Sequence, residues 1–289
     1  MIKNIKNAIS QGHISGDGGY TKKCSEFLES NLKVKRALIT TSCTHALEMA
    51  AILLNIKDGD EIIAPSYTFV STVNSFVIRG AKPIFIDIKM DTLNMDENSI
   101  ERLITKKTKA IIPVHYAGVG CEMDKILDLA RKYNIPIVED NAHGLFAKYK
   151  DKYLGTFGTF ATQSFHETKN YSCGEGGALL INDNKYINRA EIIREKGTNR
   201  KMYHDGEVDK YSWQDIGSSY LPSDILSAIL YTQFNDRKKI QKKRKTIYNY
   251  YYNHLVDWAH ENRVLLPTIP GSCEQSYHMF YMIMPTLKK

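Results

Sequence analysis

Between Ala37 and about Asn182 the chain alternates short β-branched apolar runs with helical stretches, and this order constrains the fold more than any other feature. RALITT (36–41), DEIIAPS (60–66), KPIFIDI (82–88), TKAIIPVH (108–115) and IPIVED (135–140) read as strands. Among them, THALEMAAILL (44–54) reads as a buried helix, a helical pattern runs from Val70, and EMDKILDLARKY (122–133) is amphipathic. Strands that are apolar throughout, instead of alternating, are buried on both faces. Parallel strands covered by their own crossover helices meet that condition, so the order predicts an α/β domain, a three-layer αβα arrangement with a mainly parallel sheet. FGTFATQSF (157–165) and GGALLIND (176–183) lie too close for a helix and are expected as later strands joined by a loop. Asp183 to Glu195 reads as helical, and a long helical pattern, interrupted at most briefly, runs from Ser223 to about His260. The segment YHMFYMIMPTLKK (277–289) starts as a strand and then stops. The expected division is a large domain over 1–235 and a linking helix with an incomplete small C-terminal α/β domain over 236–289.

The chain has 289 residues, 43% hydrophobic and 25% charged, an ordinary globular composition. No apolar run approaches the roughly 18 residues of a membrane span, and the N-terminus lacks the apolar core of a secretory signal. The default expectation is a cytoplasmic protein without a membrane partner. Five cysteines are scattered without a CxxC pair or zinc spacing, which suits a reducing compartment and implies no metal site. The net charge of +7 is compatible with an anionic small-molecule substrate. Its densest source, Arg237 to Lys245, reads as a solvated helix face, against the alternative of a nucleic-acid-binding regulator, because no such signature accompanies it.

Ligands in open α/β sheets sit beyond the carboxyl ends of the strands, and three features fall there. TSCTHAL (41–47) leads a strand end into an apolar helix, where free N–H groups suit a phosphate, or where Ser42 or Thr44 simply caps the helix. In IPIVEDNAH (135–143), Asp140 ends a buried strand, so its carboxylate needs a cationic or hydrogen-bonding partner; His143 follows. In SFHETKNYSCGEGG (164–177), Lys169 sits close to a sheet edge, where desolvation makes an amine nucleophilic; a surface loop lysine is the plainer alternative. A phosphate cradle, a strand-end carboxylate and a nucleophilic lysine are together the parts that a pyridoxal phosphate site requires. Phe69, just after another strand end, could stack on such a ring.

APSYTFVSTVNSF, IPVHYAGVGCEMD, VEDNAH and SFHETKN with GEGGALLIND, in this order and over nearly the whole chain, resemble the DegT-type sugar-nucleotide aminotransferases. SFHETKNY, REKGTNR (194–200) and DIGSSYL (215–221) are most similar to the branch that makes dTDP-4-amino-4,6-dideoxygalactose. The resemblance implies the aspartate aminotransferase-like (type I) fold and pyridoxal 5'-phosphate (PLP) as cofactor. It implies Lys169 as the residue that carries the cofactor's aldehyde carbon, Asp140 on the ring nitrogen and His143 on the phenolic oxygen. It further implies that Ser164, Thr44 and the His45 backbone bind the phosphate and that Phe69 stacks on the ring. Ser219 falls near where relatives place an asparagine that reaches the neighbouring subunit's phosphate, so a homodimer is implied. The implied reaction amino-transfers from L-glutamate, leaving 2-oxoglutarate, to a dTDP-4-keto-6-deoxyhexose, with a galacto product, for surface-polysaccharide synthesis. Some relatives are sugar dehydratases with a histidine in place of the lysine; Lys169 stands against that alternative. The chain ends at Lys289, just inside the smaller domain, which makes a truncated, catalytically impaired member the other alternative.

Overall fold

The computed structural model describes residues 1–286. The parallel strands expected from the apolar runs form one edge-to-edge layer. β1 (Arg36–Thr40), β2 (Glu61–Pro65), β3 (Lys82–Ile86), β4 (Thr108–Ile111) and β5 (Val138–Asp140) come first, followed by the hairpin β6 (Lys148–Tyr149) and β7 (Lys152–Tyr153), then β8 (Phe160–Ser164) and β9 (Gly177–Ile181). The ribbons β1-β9-β8-β5 and β3-β2-β4 join through the parallel bridges Ile111–Ile137 and Val114–Asp140. Within this layer β9 runs antiparallel to both β1 and β8, while the other pairings are parallel. The carboxyl ends of β1, β2, β4, β5 and β8 therefore share one edge of the sheet, and β9 starts there.

Side chains leave a strand alternately to its two faces, and here both faces are covered. Leu38, Leu179 and Ile181 join a core with α3 (Cys43–Leu53), whereas Ala37, Ile39, Ala178 and Leu180 join one with α2 (Gly19–Leu32) and α8 (Asp224–Asn235). A third core packs Ile63, Ile86 and Ile111 against Met123, Ile126 and Leu129 of α5 (Met123–Tyr133). α3 is apolar all round because it is enclosed by the sheet, α4 (Ser71–Val77) and α6 (Ile187–Arg194). Leu47, Met49 and Leu53 are fully buried there, each contributing about 1.5–3 kcal/mol relative to exposure. An Ala50→Asp change would place an unpaired carboxylate in that seam. The helix stops at Leu54, and Asn55 takes the left-handed conformation (φ 55°) that a helix C-terminus favours.

Some elements meet the sequence-based expectation, some add to it, and one departs from it. α1 (Ile2–Ser10) and α2 pack on α8, and the buried Asp224 carboxylate caps α2 by accepting from the Tyr20 and Thr21 N–H groups at 3.1 and 2.7 Å. The long helical pattern breaks only at Asp236, between α8 and α9 (Arg237–Glu261), with the short α7 (Arg200–His204) earlier. Along α9, Arg237, Ile240, Gln241, Arg244 and Tyr248 turn inward, and Lys238, Lys239, Lys242, Lys243 and Lys245 are exposed, so only one face of the basic run is solvated. The strand expected from Tyr277 does not form among the described residues; beyond the two-residue β10 (Cys273–Glu274), which pairs with β6, there is one bridge, Leu265–Ile283. Side chains occupy the carbonyls that a neighbouring strand would use: Asn170 and Gln241 donate to Ser276 O, and Arg244 donates to Tyr277 O and His278 O. The last residues of that expected strand, 287–289, lie outside the described residues.

Candidate active site

A cavity of about 520 Å³ opens at the shared carboxyl edge of the sheet. Each wall begins where a strand stops. β1 gives way to Ser42, Cys43 and Thr44, β2 to Thr68 and Phe69, β4 to Val114 and Tyr116, β5 to Asp140 and His143, and β8 to Ser164 and Lys169. Thr44, Phe69, Asp140, His143, Ser164 and Lys169 are thus brought together. His45 and Ser219 do not line this cavity. The His45 N–H donates to the Ser42 hydroxyl at 3.1 Å, and its ring bonds Thr41. Ser219 is exposed and pairs with Glu195.

The capping reading of TSCTHAL is seen directly, and it leaves donors free for the other. Ser42 is the N-cap of α3, and the N–H groups of Cys43 and Thr44 find no acceptor among the described residues. Two free donors at the positive end of a buried helix form an anion cradle. The Thr44 hydroxyl, which donates to Ser71 Oγ at 2.8 Å, and Ser164 stand beside them. Gly177 allows this placement: a Cβ there would lie 2.3 Å from Ser42 C and 2.4 Å from Cys43 N. The start of α3 therefore rests on the backbone of β9. Gly174 serves differently, taking a left-handed φ of 90° to close the loop behind Lys169.

Asp140 is buried, with Thr72 Oγ1 donating to one carboxylate oxygen at 2.7 Å and the Ala142 N–H to the other at 3.2 Å. The strand that ends in Asp140 is anchored one residue earlier. Glu139 accepts N–H bonds from Gly155, Phe157 and Gly158, each at 2.7 Å, and a bond from His115 Nε2 at 2.9 Å. Burial lowers the Lys169 amine below its ordinary pKa, opposed in part by the Asp140 carboxylate. A larger fraction of that amine is therefore neutral and nucleophilic than for a solvated lysine. Burial, reinforced by His278 and Lys169, pushes His143 down to about 2, so its imidazole is neutral at working pH. Burial also raises the Cys43 thiol and keeps it protonated.

Four lining or supporting residues escaped the sequence reading. Thr72 holds Asp140, and the Thr68–Thr72 hydroxyl pair (2.7 Å), one helical turn apart, was its visible trace. Tyr116 bonds the Tyr67 hydroxyl at 3.1 Å and sets its ring edge-on to His143. Asn170 and His278 approach from behind His143.

Asp140, Lys169 and the α3 cradle occupy one cavity, and the distribution of charge fits PLP: a cradle for its phosphate, a carboxylate for its ring nitrogen and a neutral-leaning amine for its aldehyde. Among the described residues no cluster of three or more His, Cys, Asp or Glu could hold a metal ion, and no helix is long and apolar enough to cross a membrane.

The description DegT/DnrJ/EryC1/StrS aminotransferase family matches residues 1–289. The uncharacterized protein MJ1066 of Methanocaldococcus jannaschii is 36% identical over 270 residues, covering 92% of this chain and 69% of that protein. The PMP form of the putative sugar aminotransferase Spr1654 from Streptococcus pneumoniae superposes with a TM-score of 0.90 at 25% identity, over 98% of this chain and 76% of that one. Helicobacter pylori PseC, an aminotransferase involved in pseudoaminic acid biosynthesis, gives 0.87 at 27% identity, over 98% and 74%.

Proposed function

The chain belongs to the DegT/DnrJ/EryC1/StrS aminotransferase family, PLP-dependent sugar aminotransferases, and on that premise we propose its reaction. It moves the amino group of L-glutamate to C4 of a dTDP-4-keto-6-deoxyhexose, giving the galacto-configured 4-amino-4,6-dideoxy sugar and 2-oxoglutarate. The observation that carries this is the single cavity that joins the desolvated Lys169, the buried Asp140 carboxylate and the open start of α3. The finer substrate assignment rests on the motifs SFHETKNY, REKGTNR and DIGSSYL.

Bound PLP supplies an aldehyde carbon that exchanges amines and a ring that takes up the electrons released at carbon. Thr44, Ser164 and the free N–H groups of α3 hold its phosphate. Asp140, which accepts from Thr72 Oγ1 and the Ala142 N–H, would face the ring nitrogen. Phe69 would stack on the ring, and His143 would meet the phenolic oxygen. Lys169 Nζ would bond to the cofactor's aldehyde carbon and, as an amine, would serve as the base at the reacting carbon. Its lowered pKa suits it to take the proton from the amino acid's α-carbon and, in the return half, to give one to the sugar carbon. The face that Nζ occupies sets the new stereocentre.

The active assembly is a homodimer. Phe69 and Val70, 74% and 68% exposed at the cavity mouth, and Trp213, 77% exposed on the segment that leads to Ser219, form apolar surface that a second copy would cover. Ser219 then reaches the phosphate held by the other copy. Sedimentation of wild type and Val70→Lys checks this; a monomeric wild type overturns it. The reaction itself is tested by incubating the protein with PLP, L-glutamate and dTDP-4-keto-6-deoxyglucose and identifying the sugar product. A 4-amino galacto sugar with stoichiometric 2-oxoglutarate is expected. Amination at C3, or loss of water without amination, overturns the assignment.

A further inference from the structure

His143 is held by three residues, all from outside the strand that presents it: Ala117 and Tyr116 from the segment after β4, and His278 from far along the chain. The Ala117 N–H donates to His143 Nδ1 at 3.3 Å, so the proton of the neutral ring sits on Nε2. The ring of His278 stacks on it, 4.2 Å between centroids and 21° from parallel, and the ring of Tyr116 stands edge-on to it, 5.7 Å between centroids. The His278 ring is fixed in turn. Asn170 Nδ2 donates to Ser276 O at 2.7 Å, so Asn170 Oδ1 must face the other way and accept from His278 Nδ1 at 2.8 Å. That assigns the His278 proton to Nδ1. The backbone of the segment is pinned as well: Ser276 Oγ donates to His143 O at 2.5 Å, the Ser276 N–H to Gly118 O at 3.2 Å, and Arg244 to His278 O at 3.0 Å. Gly118 has no room for a side chain, since a Cβ would lie 1.8 Å from Ser276 Oγ.

We propose that Asn170 and His278 are positioning residues that lock the plane of His143, and thereby keep its Nδ1 on the Ala117 N–H and its Nε2–H presented as a donor into the cavity. Asn170 is the neighbour of Lys169 in the chain, so the same contact ties the lysine loop to the ring that faces the cofactor oxygen. A hydrophobic residue in place of His278 could fill the space, but only a flat ring keeps the stack, and only a ring with a donor nitrogen keeps the link to Asn170. The role of that donor toward the cofactor rests on the PLP reading above; the locking of the ring does not.

The test uses the full chain labelled with 15N-histidine, without added cofactor. Long-range proton–nitrogen spectra should show one neutral tautomer each, Nε2–H for His143 and Nδ1–H for His278. His278→Ala should convert the His143 signals to a mixture of tautomers, His278→Phe should retain the single tautomer, and Asn170→Ala should lose the single tautomer of His278. With cofactor added, His278→Ala should lose on the order of tenfold in kcat, the low end of what supporting partners contribute at metal sites, with little change in the KM for sugar. His278→Phe should keep most of it. An unchanged His143 tautomer in a folded His278→Ala protein, judged by its melting curve, overturns the proposal. If the tautomer responds but no variant binds PLP, the locking stands and the PLP reading fails.

Discussion

Gly177→Ala is the smallest change that should separate the start of α3 from the sheet. The added Cβ would lie 2.3 Å from Ser42 C and 2.4 Å from both Cys43 N and Ser42 O. These are backbone atoms that no rotamer change can move, so the first residues of α3 and the first of β9 must part by about 1 Å to restore ordinary contact. Overpacking of this kind costs about 1–3 kcal/mol, which in a chain of this size lowers Tm by roughly 2–12 °C. The larger effect falls on the site. The Cys43 and Thr44 N–H groups move with the helix start, and a 1 Å misplacement costs on the order of 100-fold in rate. Gly174→Ala is the control: φ is 90° but nothing lies within 4 Å, so it carries only the conformational cost of about 1–2 kcal/mol and leaves the cradle in place. Thermal melts and PLP titrations of the two variants form the assay. If both lose stability and both keep wild-type cofactor affinity, the cradle at α3 is refuted.

Acid should destabilise the fold through the stacked histidines. His143 at about 2 and His278 at about 3 sit below the ordinary 6.5, so the unfolded chain binds protons that the folded one excludes. Their contribution is complete above about pH 6.5 and is lost as pH falls, by about 2 kcal/mol per histidine at pH 5; urea melts should show this, and His278→Phe should remove about half. Glu139→Gln turns an acceptor of three N–H bonds and of the His115 Nε2 bond into a partial donor, which should cost about 1–3 kcal/mol for each buried N–H left without an acceptor; a Tm within a degree of wild type contradicts this. Asp140→Ala should lose cofactor affinity and turnover together, and unchanged kinetics would remove Asp140 from the site.

The sheet was legible where burial on both faces leaves one pattern: RALITT and DEIIAPS contain β1 and β2, while the edge strand β3, with Phe85 exposed, was read from the apolar run KPIFIDI alone. The loop between β8 and β9 was legible for the same reason, and with it the place of Lys169. What escaped depends on distant contacts. The cap on α2 is a carboxylate more than 200 residues along the chain. The antiparallel direction of β9 leaves no mark on a strand buried on both faces. An apolar segment such as YHMFYMI reads as a strand because its sequence does not reveal that Arg244 takes its first two carbonyls, or that Asn170 and Gln241 take the one just before it. The site divides in the same way. Asp140 and Lys169 are conspicuous as charges at buried strand ends. Thr72, an ordinary helix residue by its neighbours, acquires its role only by facing Asp140, and His278 lies 108 residues from the Asn170 that orients it.

The central claim is that the Lys169 amine is the group that bonds to the cofactor. Protein mixed with PLP, reduced with borohydride, digested and mapped by mass spectrometry should carry one pyridoxyl phosphate group, on the peptide containing Lys169, and Lys169→Ala should carry none there. A stoichiometric adduct on any other lysine, with Lys169 unmodified, would contradict the account.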